Sequence, residues 1–235
     1  MEDNNIQQTT NRRSFLAMMA TGAAAVGVTS LATPLNLKAG NFKISGAILP
    51  EDPDAWFAKI KGKHRIVFDV AEPREIFPFA WPRVFLLTNE ATGSPATDCG
   101  VVVILRHHGI GYAFEDKLWA KYKMGELFKA EDPAAKSPSL RNPFWKPAKG
   151  AFKLPGFGEV SIGIDELQAS GVMFCVCDAA ITVYSAVAAE KMGLKAEDVK
   201  KEWISGLLPG IQVVPSGVWA VGRAQEHDCA YCAVA

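Results

Sequence analysis

Apolar positions along the chain fall in short runs divided by polar, turn-forming stretches, and their period alternates between that of strands and that of helices. Residues 64–70, HRIVFDV, are rich in β-branched residues and read as a strand. Residues 78–93, PFAWPRVFLLTNEATG, read as a helix with Pro82 in its first turn and Gly93 as its stop. CGVVVILRHHGIG then gives the strongest strand signal: Val101, Val102, Val103, Ile104 and Leu105 in succession, followed by Arg106, His107, His108 and glycines. A run apolar on both faces suits a central strand covered by helices. Residues 113–128 read as one amphipathic helix, with Leu118, Tyr122 and Leu127 near one stripe.

The pattern changes from Lys129 to Phe157, where five prolines and two glycines interrupt any period. A stretch of that length reads as an insertion, of the kind that forms lids, interface arms or disordered segments. Its aromatic set NPFWKP is expected to cover a neighbouring subunit or the chain's own core. Alternation then resumes. Residues 165–171 form a short helix stopped by Gly171, and VMFCVC is the next strand. Residues 178–193 form a helix with Asp178 as N-cap and Gly193 as stop, and residues 195–206 add another. IQVV is a strand ending at Pro215-Ser216-Gly217, residues 218–228 are a helix, and AYCAVA is a last strand. This strand–helix succession predicts an α/β fold: an open, mainly parallel five-stranded sheet with helices on both faces, a three-layer Rossmann- or flavodoxin-like arrangement.

The start of the chain stands apart. Arg12 and Arg13, then Phe15-Leu16 and an uncharged stretch to Ala32, have the layout of a twin-arginine export signal over residues 1–33. Residues 34–62 read as an extension, and 63–235 as the α/β domain with its insertion at about 129–157. Export by this route places the protein in the periplasm or otherwise outside the cytoplasm, and an uncleaved tether is the alternative to removal of the signal. No second stretch is long and charge-free enough to span a membrane. Lysine plus arginine and aspartate plus glutamate each number 25, which leaves no electrostatic case for nucleic acid. The sequence has no Gly-x-Gly-x-x-Gly after a first strand, no Walker loop, no Gly-x-Ser-x-Gly elbow and no His-Glu-x-x-His.

The five cysteines are too few and odd in number for a disulfide scaffold. Cys177 is the leading candidate for chemistry. It is expected at the carboxyl end of a strand, where ligands of open α/β sheets bind, and at the start of a helix, whose partial positive charge favours thiolate. Asp178 opposes that with its own charge. Cys175 is expected on the same face, one pleat deeper, as a buried small apolar residue. Cys229-x-x-Cys232 has the spacing of a redox pair or half a metal site, and fits equally two thiols that face different ways. His107 and His108 are expected at the same sheet edge as Cys177. There an imidazole serves as base, proton donor or co-ligand; on extended chain only one of the two faces the pocket, and loop capping is the alternative role. Arg106 reads as an oxyanion anchor or a surface charge, and His227 as a residue beside the last two cysteines. A soft metal such as copper or zinc, gathered by Cys177, His107, Cys229 and Cys232, is the second chemistry that these residue types allow.

GVMFCVCDAA, followed by VVPSGVWAVGRAQEHDCAYC, resembles the DsrE/DsrF-like proteins of sulfur metabolism. Gly171, Val172, Phe174 and Cys177 fit the first family element, and Val214, Pro215, Gly217 and Val218 fit the second. Gln225, Ala230 and Tyr231 fit part of the third, with Asp228 and Cys229 standing where glycine and tyrosine are usual. The resemblance implies a compact α/β fold and a trimeric or hexameric homo-oligomer. It also implies a cysteine, here Cys177, that takes sulfur from a small sulfur species and passes it, as a persulfide, to a sulfur-acceptor protein. Known sulfur-relay members are cytoplasmic, and the export signal is a departure from them. The reading with inert thiols is a non-catalytic assembly subunit.

Overall fold

Five parallel strands form the centre of the chain. The computed structural model describes residues 52 and 54–234, so the signal read over 1–33 and most of the extension read over 34–62 lie outside the described residues. In chain order the elements are β1 (His64–Val70), α1 (Phe77–Ala91), β2 (Cys99–Leu105), α2 (Asp116–Tyr122) and α3 (Met124–Phe128). A two-stranded hairpin, β3 (Lys153–Leu154) and β4 (Gly158–Glu159), leads to α4 (Ile164–Ala169), β5 (Met173–Cys177) and α5 (Asp178–Met192). The chain closes with α6 (Ala196–Ser205), β6 (Ile211–Val214), α7 (Gly217–Glu226) and β7 (Ala230–Ala233). No helix among the described residues is long and apolar enough to cross a membrane.

The fold is the open, three-layer α/β arrangement that the alternation predicts. β2 lies in the middle of the sheet, and its unbroken apolar run is buried from Gly100 to Leu105. Alternate residues serve the two faces. Val101, Val103 and Leu105 join the core under α1, α5 and α6, whereas Val102 and Ile104 pack with Trp56, Phe57, Ala220 and Ala224. The second face is thus covered by α7 and by the 3-10 turn Asp54–Lys59, so packing of the domain begins before residue 63. The chain adds β1, β2, β5 and β6 in one direction, then returns through α7 to place β7 on the far side of β1.

Three local readings change. α1 begins at Phe77, and Pro82 lies inside it rather than in its first turn. The helix expected over 113–128 is two helices, because Lys123 takes a left-handed conformation at φ 48° and turns the chain between α2 and α3. The proline-rich insertion is anchored in the core rather than loose. Phe144 is fully buried, stacks on Phe152 at 5.2 Å and lies 4.4 Å from Phe79, ring centre to ring centre. Asn142, also fully buried, donates from Nδ2 to the carbonyls of Tyr112 and Phe114 at 2.9 and 3.0 Å. A buried amide that ties two carbonyls of another segment fixes the insertion as part of the core.

Candidate functional site

The carboxyl ends of the strands carry most of the polar side chains with chemistry to offer. Where the order of strand addition reverses, between β1 and β7, such sheets leave a crevice at that edge. A groove of about 280 Å³ lies there, lined by Asp69, Arg106, Val218, Val221, Gln225 and Tyr231. Asp69, at the end of β1, is almost wholly buried and is held from two sides. Arg106 donates to it through Nε at 2.6 Å and Nη2 at 2.9 Å, and the Tyr231 hydroxyl donates to Oδ2 at 2.8 Å. The hydrogen bond to Asp69 is the main cause that lifts the Arg106 guanidinium above its ordinary pKa, and the negative charge of a Cys177 thiolate adds to it. Arg106 is therefore an ion-paired residue at the groove wall, with Nε and Nη2 committed to Asp69.

Cys177 ends β5 and is itself the N-cap of α5, with Sγ accepting the Ala180 N–H at 3.2 Å. The N-cap role expected of Asp178 falls to the thiol. Asp178 instead is buried in the first turn of α5 and pairs with Lys200 of α6, Nζ to Oδ1 at 2.8 Å, while Nζ also donates to Thr182 Oγ1 at 2.7 Å. Lys200 thereby offsets the negative charge that would oppose a thiolate next door. Only 6% of Cys177 is exposed, and the residue packs within the core beneath α5. Cys175 is fully buried, and burial, with the Cys177 charge second, pushes its thiol well up. The two do not share a face. Cys175 packs under α7 and Cys177 under α5, because the strand's alternation lapses where the helix begins.

His107 and His108 do not join Cys177. His107 Nδ1 lies 2.8 Å from Glu72 Oε1, and His108 Nδ1 lies 2.8 Å from Oε2 of the same carboxylate. The rings stand 4.2 Å apart, and Tyr184 of α5 flanks both at 5.7 and 5.3 Å. The expectation that adjacent histidines diverge fails because His107 is left-handed, at φ 49°, which swings both rings to one side. Gly109 lets this loop press on the end of β1: a Cβ there would sit 2.4 Å from the Val70 carbonyl oxygen. Burial alone would raise the Glu72 carboxyl, but hydrogen bonds and charges from His108 and then His107 outweigh it and hold the group below its ordinary value.

The last two cysteines do not converge. Cys229 is buried beneath α7, whereas Cys232 packs against the core on the opposite face. All five cysteines are free. The set Cys177, His107, Cys229 and Cys232 is therefore not assembled as one metal site. His227 ends α7 with its ring stacked on Phe57, centroids 6.2 Å apart. Sequence reasoning missed Glu72, whose partners the pairing of β1 with β2 brings near, and Asp69, whose partners come from both neighbours of β1; Asp69, in the expected strand, was the one polar break in its apolar end.

No family model matches the chain, and no curated protein matches it. Among solved structures it is similar to a protein of unknown function, MTH1491 from Methanobacterium thermoautotrophicum. That likeness has a TM-score of 0.33 and 20% identity, over 73% of this chain and 99% of the other.

Proposed function

We propose that the chain is an exported sulfur carrier of the DsrE/DsrF-like kind, with Cys177 as the residue that takes up and releases sulfur. The observation that carries this reading is the Cys177 Sγ at the start of a 15-residue helix, where it accepts a backbone N–H at 3.2 Å. The Ala180 N–H points at the sulfur, and a cysteine reacts as a nucleophile through its thiolate. Arg106 adds a cation whose interaction with Cys177 is favourable. The motif residues Val218, Gln225 and Tyr231 line a groove together with Arg106 and its ion-pair partner Asp69.

The reaction balances without a separate oxidant. The Cys177 thiolate attacks the outer sulfur of a sulfane donor such as thiosulfate. The donor S–S bond breaks, sulfite departs with the bonding pair, and a Cys177 persulfide remains. An acceptor nucleophile then attacks the outer persulfide sulfur and restores the thiolate. The burial of Cys177 favours compact donors over bulky ones, and the acceptor takes its sulfur from the terminal atom of the persulfide. In this reading the segment 1–33 delivers the folded homo-oligomer out of the cytoplasm.

The test is sulfur transfer from thiosulfate to cyanide by the reduced protein, read as thiocyanate. Cys177→Ser is the control, because serine keeps a capping oxygen at the start of α5. Thiocyanate formation that the variant abolishes supports the proposal. Formation that persists in the variant, or is absent in the parent with a free thiol, overturns it.

A further inference from the structure

We infer that Glu72, His107 and His108 form a binding site for one divalent transition-metal ion, separate from the thiol of Cys177. One ligand atom from each residue lies within 4.8 Å of the other two, and no cysteine belongs to the cluster. The sheet builds it. Val70 pairs with Leu105 at the ends of β1 and β2, so Glu72 and His107 occupy matching positions two residues beyond a parallel pair. The left-handed turn at His107 adds His108 from the same loop. A non-glycine residue at positive φ is unfavourable, and such conformations persist where the surroundings enforce them, often at functional sites.

The donor set is two neutral imidazole nitrogens and one carboxylate oxygen. That combination suits zinc and its neighbours, with bonds of about 2.0–2.2 Å. In a tetrahedral complex of such bonds the ligand atoms sit about 3.3 Å apart, so small side-chain rotations draw the present cluster in. Glu72 already bridges both rings, one oxygen to each Nδ1. An ion takes the place of the ring hydrogens that now face the carboxylate. Tyr184 holds both rings from α5, and Phe128 lies 6.3 Å from His108, so the rings are backed by aromatic walls. The opposite side is open: the side chains of His107 and Glu72 are 49% and 38% exposed. Three protein ligands with a solvent-facing fourth position describe a site that holds water or an exchangeable anion.

The experiment uses the full-length protein, freed of metal with a chelator and then titrated with Zn²⁺ or Co²⁺. One ion binds per chain. Glu72→Gln, His107→Ala and His108→Ala each weaken binding by more than about tenfold, since even outer-shell partners contribute about 10–100-fold. Cys177→Ser leaves the affinity unchanged. The Co²⁺ complex of the parent shows d–d bands without a thiolate-to-metal charge-transfer band, a readout that needs no variant to fold. A thiolate band, loss of binding in Cys177→Ser, or full binding in His107→Ala/His108→Ala overturns the inference. Failure of the parent to retain an ion does so as well. None of these outcomes bears on sulfur transfer, which is read separately.

Discussion

Replacing Lys200 by methionine leaves the Asp178 carboxylate buried beside Cys177 with its counter-ion gone. Asp178 and Lys200 are only 5% and 9% exposed, and the pair is short, at 2.8 Å. At an effective dielectric constant of about 20, two unit charges at that separation attract by about 6 kcal/mol before the desolvation penalty is charged against them. Removal of one partner of a buried pair costs about 3–5 kcal/mol, because the survivor keeps its desolvation penalty and loses its compensation. Methionine matches the aliphatic stem of lysine, so lost packing is a minor part. Thr182 Oγ1 also loses the ammonium that donates to it. The pair is the polar tie between α5 and α6, so the loss falls on the element that Cys177 caps. Urea denaturation of the parent, Lys200→Met, Asp178→Asn and the double variant measures the coupling. The single Lys200 variant falls by about 3–5 kcal/mol, and the double variant recovers most of that loss, because a neutral amide no longer requires a cation. A Lys200→Met loss below about 1 kcal/mol refutes the reasoning, since that is the scale of an exposed ion pair.

Three further outcomes follow from the packing and the thiols. Phe144→Ala destabilises the chain by about 3–5 kcal/mol, the range for a large aromatic removed from a core, and exposes the insertion to limited proteolysis; an unchanged denaturation midpoint would mark the insertion as a detachable loop. Gly109→Ala forces a Cβ toward the Val70 carbonyl oxygen, lowers stability by about 1–3 kcal/mol as overpacking does, and weakens Zn²⁺ binding, while unaltered metal affinity would separate the loop from the site. Burial is the main cause that pushes the Cys229 thiol up to about 11 from its ordinary 9.0. With the folded-state value the higher one, the contribution is whole below the unfolded value and is lost as pH rises through about 11. Parent protein therefore loses stability relative to Cys229→Ala across that alkaline window, and parallel stability curves would contradict it.

The strands were legible because each is a short apolar run bounded by turn residues, and β1, β2, β5 and β6 lie where those runs lie. Stop signals at Gly93, Gly171 and Gly193 were equally plain, each glycine taking positive φ. What the sequence hid was set by backbone conformation or by distant partners. Nothing in residues 113–128 announces that Lys123 turns left-handed and splits the helix. The composition of the insertion spoke for a loose loop, but Asn142 and Phe144 bind it to carbonyls and rings that only tertiary structure brings near. At the site, Cys177 stood where expected, at a strand's carboxyl end and a helix's start. The face of its side chain and the capping role followed from the lapse in alternation, which a period-2 reading cannot anticipate. The histidines were found by proximity in sequence; their partner Glu72 required the register of β1 against β2.

The direct measurement of the central claim is intact-peptide mass spectrometry of the reduced, folded protein after exposure to thiosulfate, with the sulfite released counted in the same reaction. The account predicts one added sulfur atom on the peptide that carries Cys175 and Cys177, assigned to Cys177 by fragmentation, one sulfite per modified chain, and no adduct on the Cys229 peptide. An unmodified Cys177 whose thiol is demonstrably free, or sulfite released in equal amount by Cys177→Ser, would contradict it.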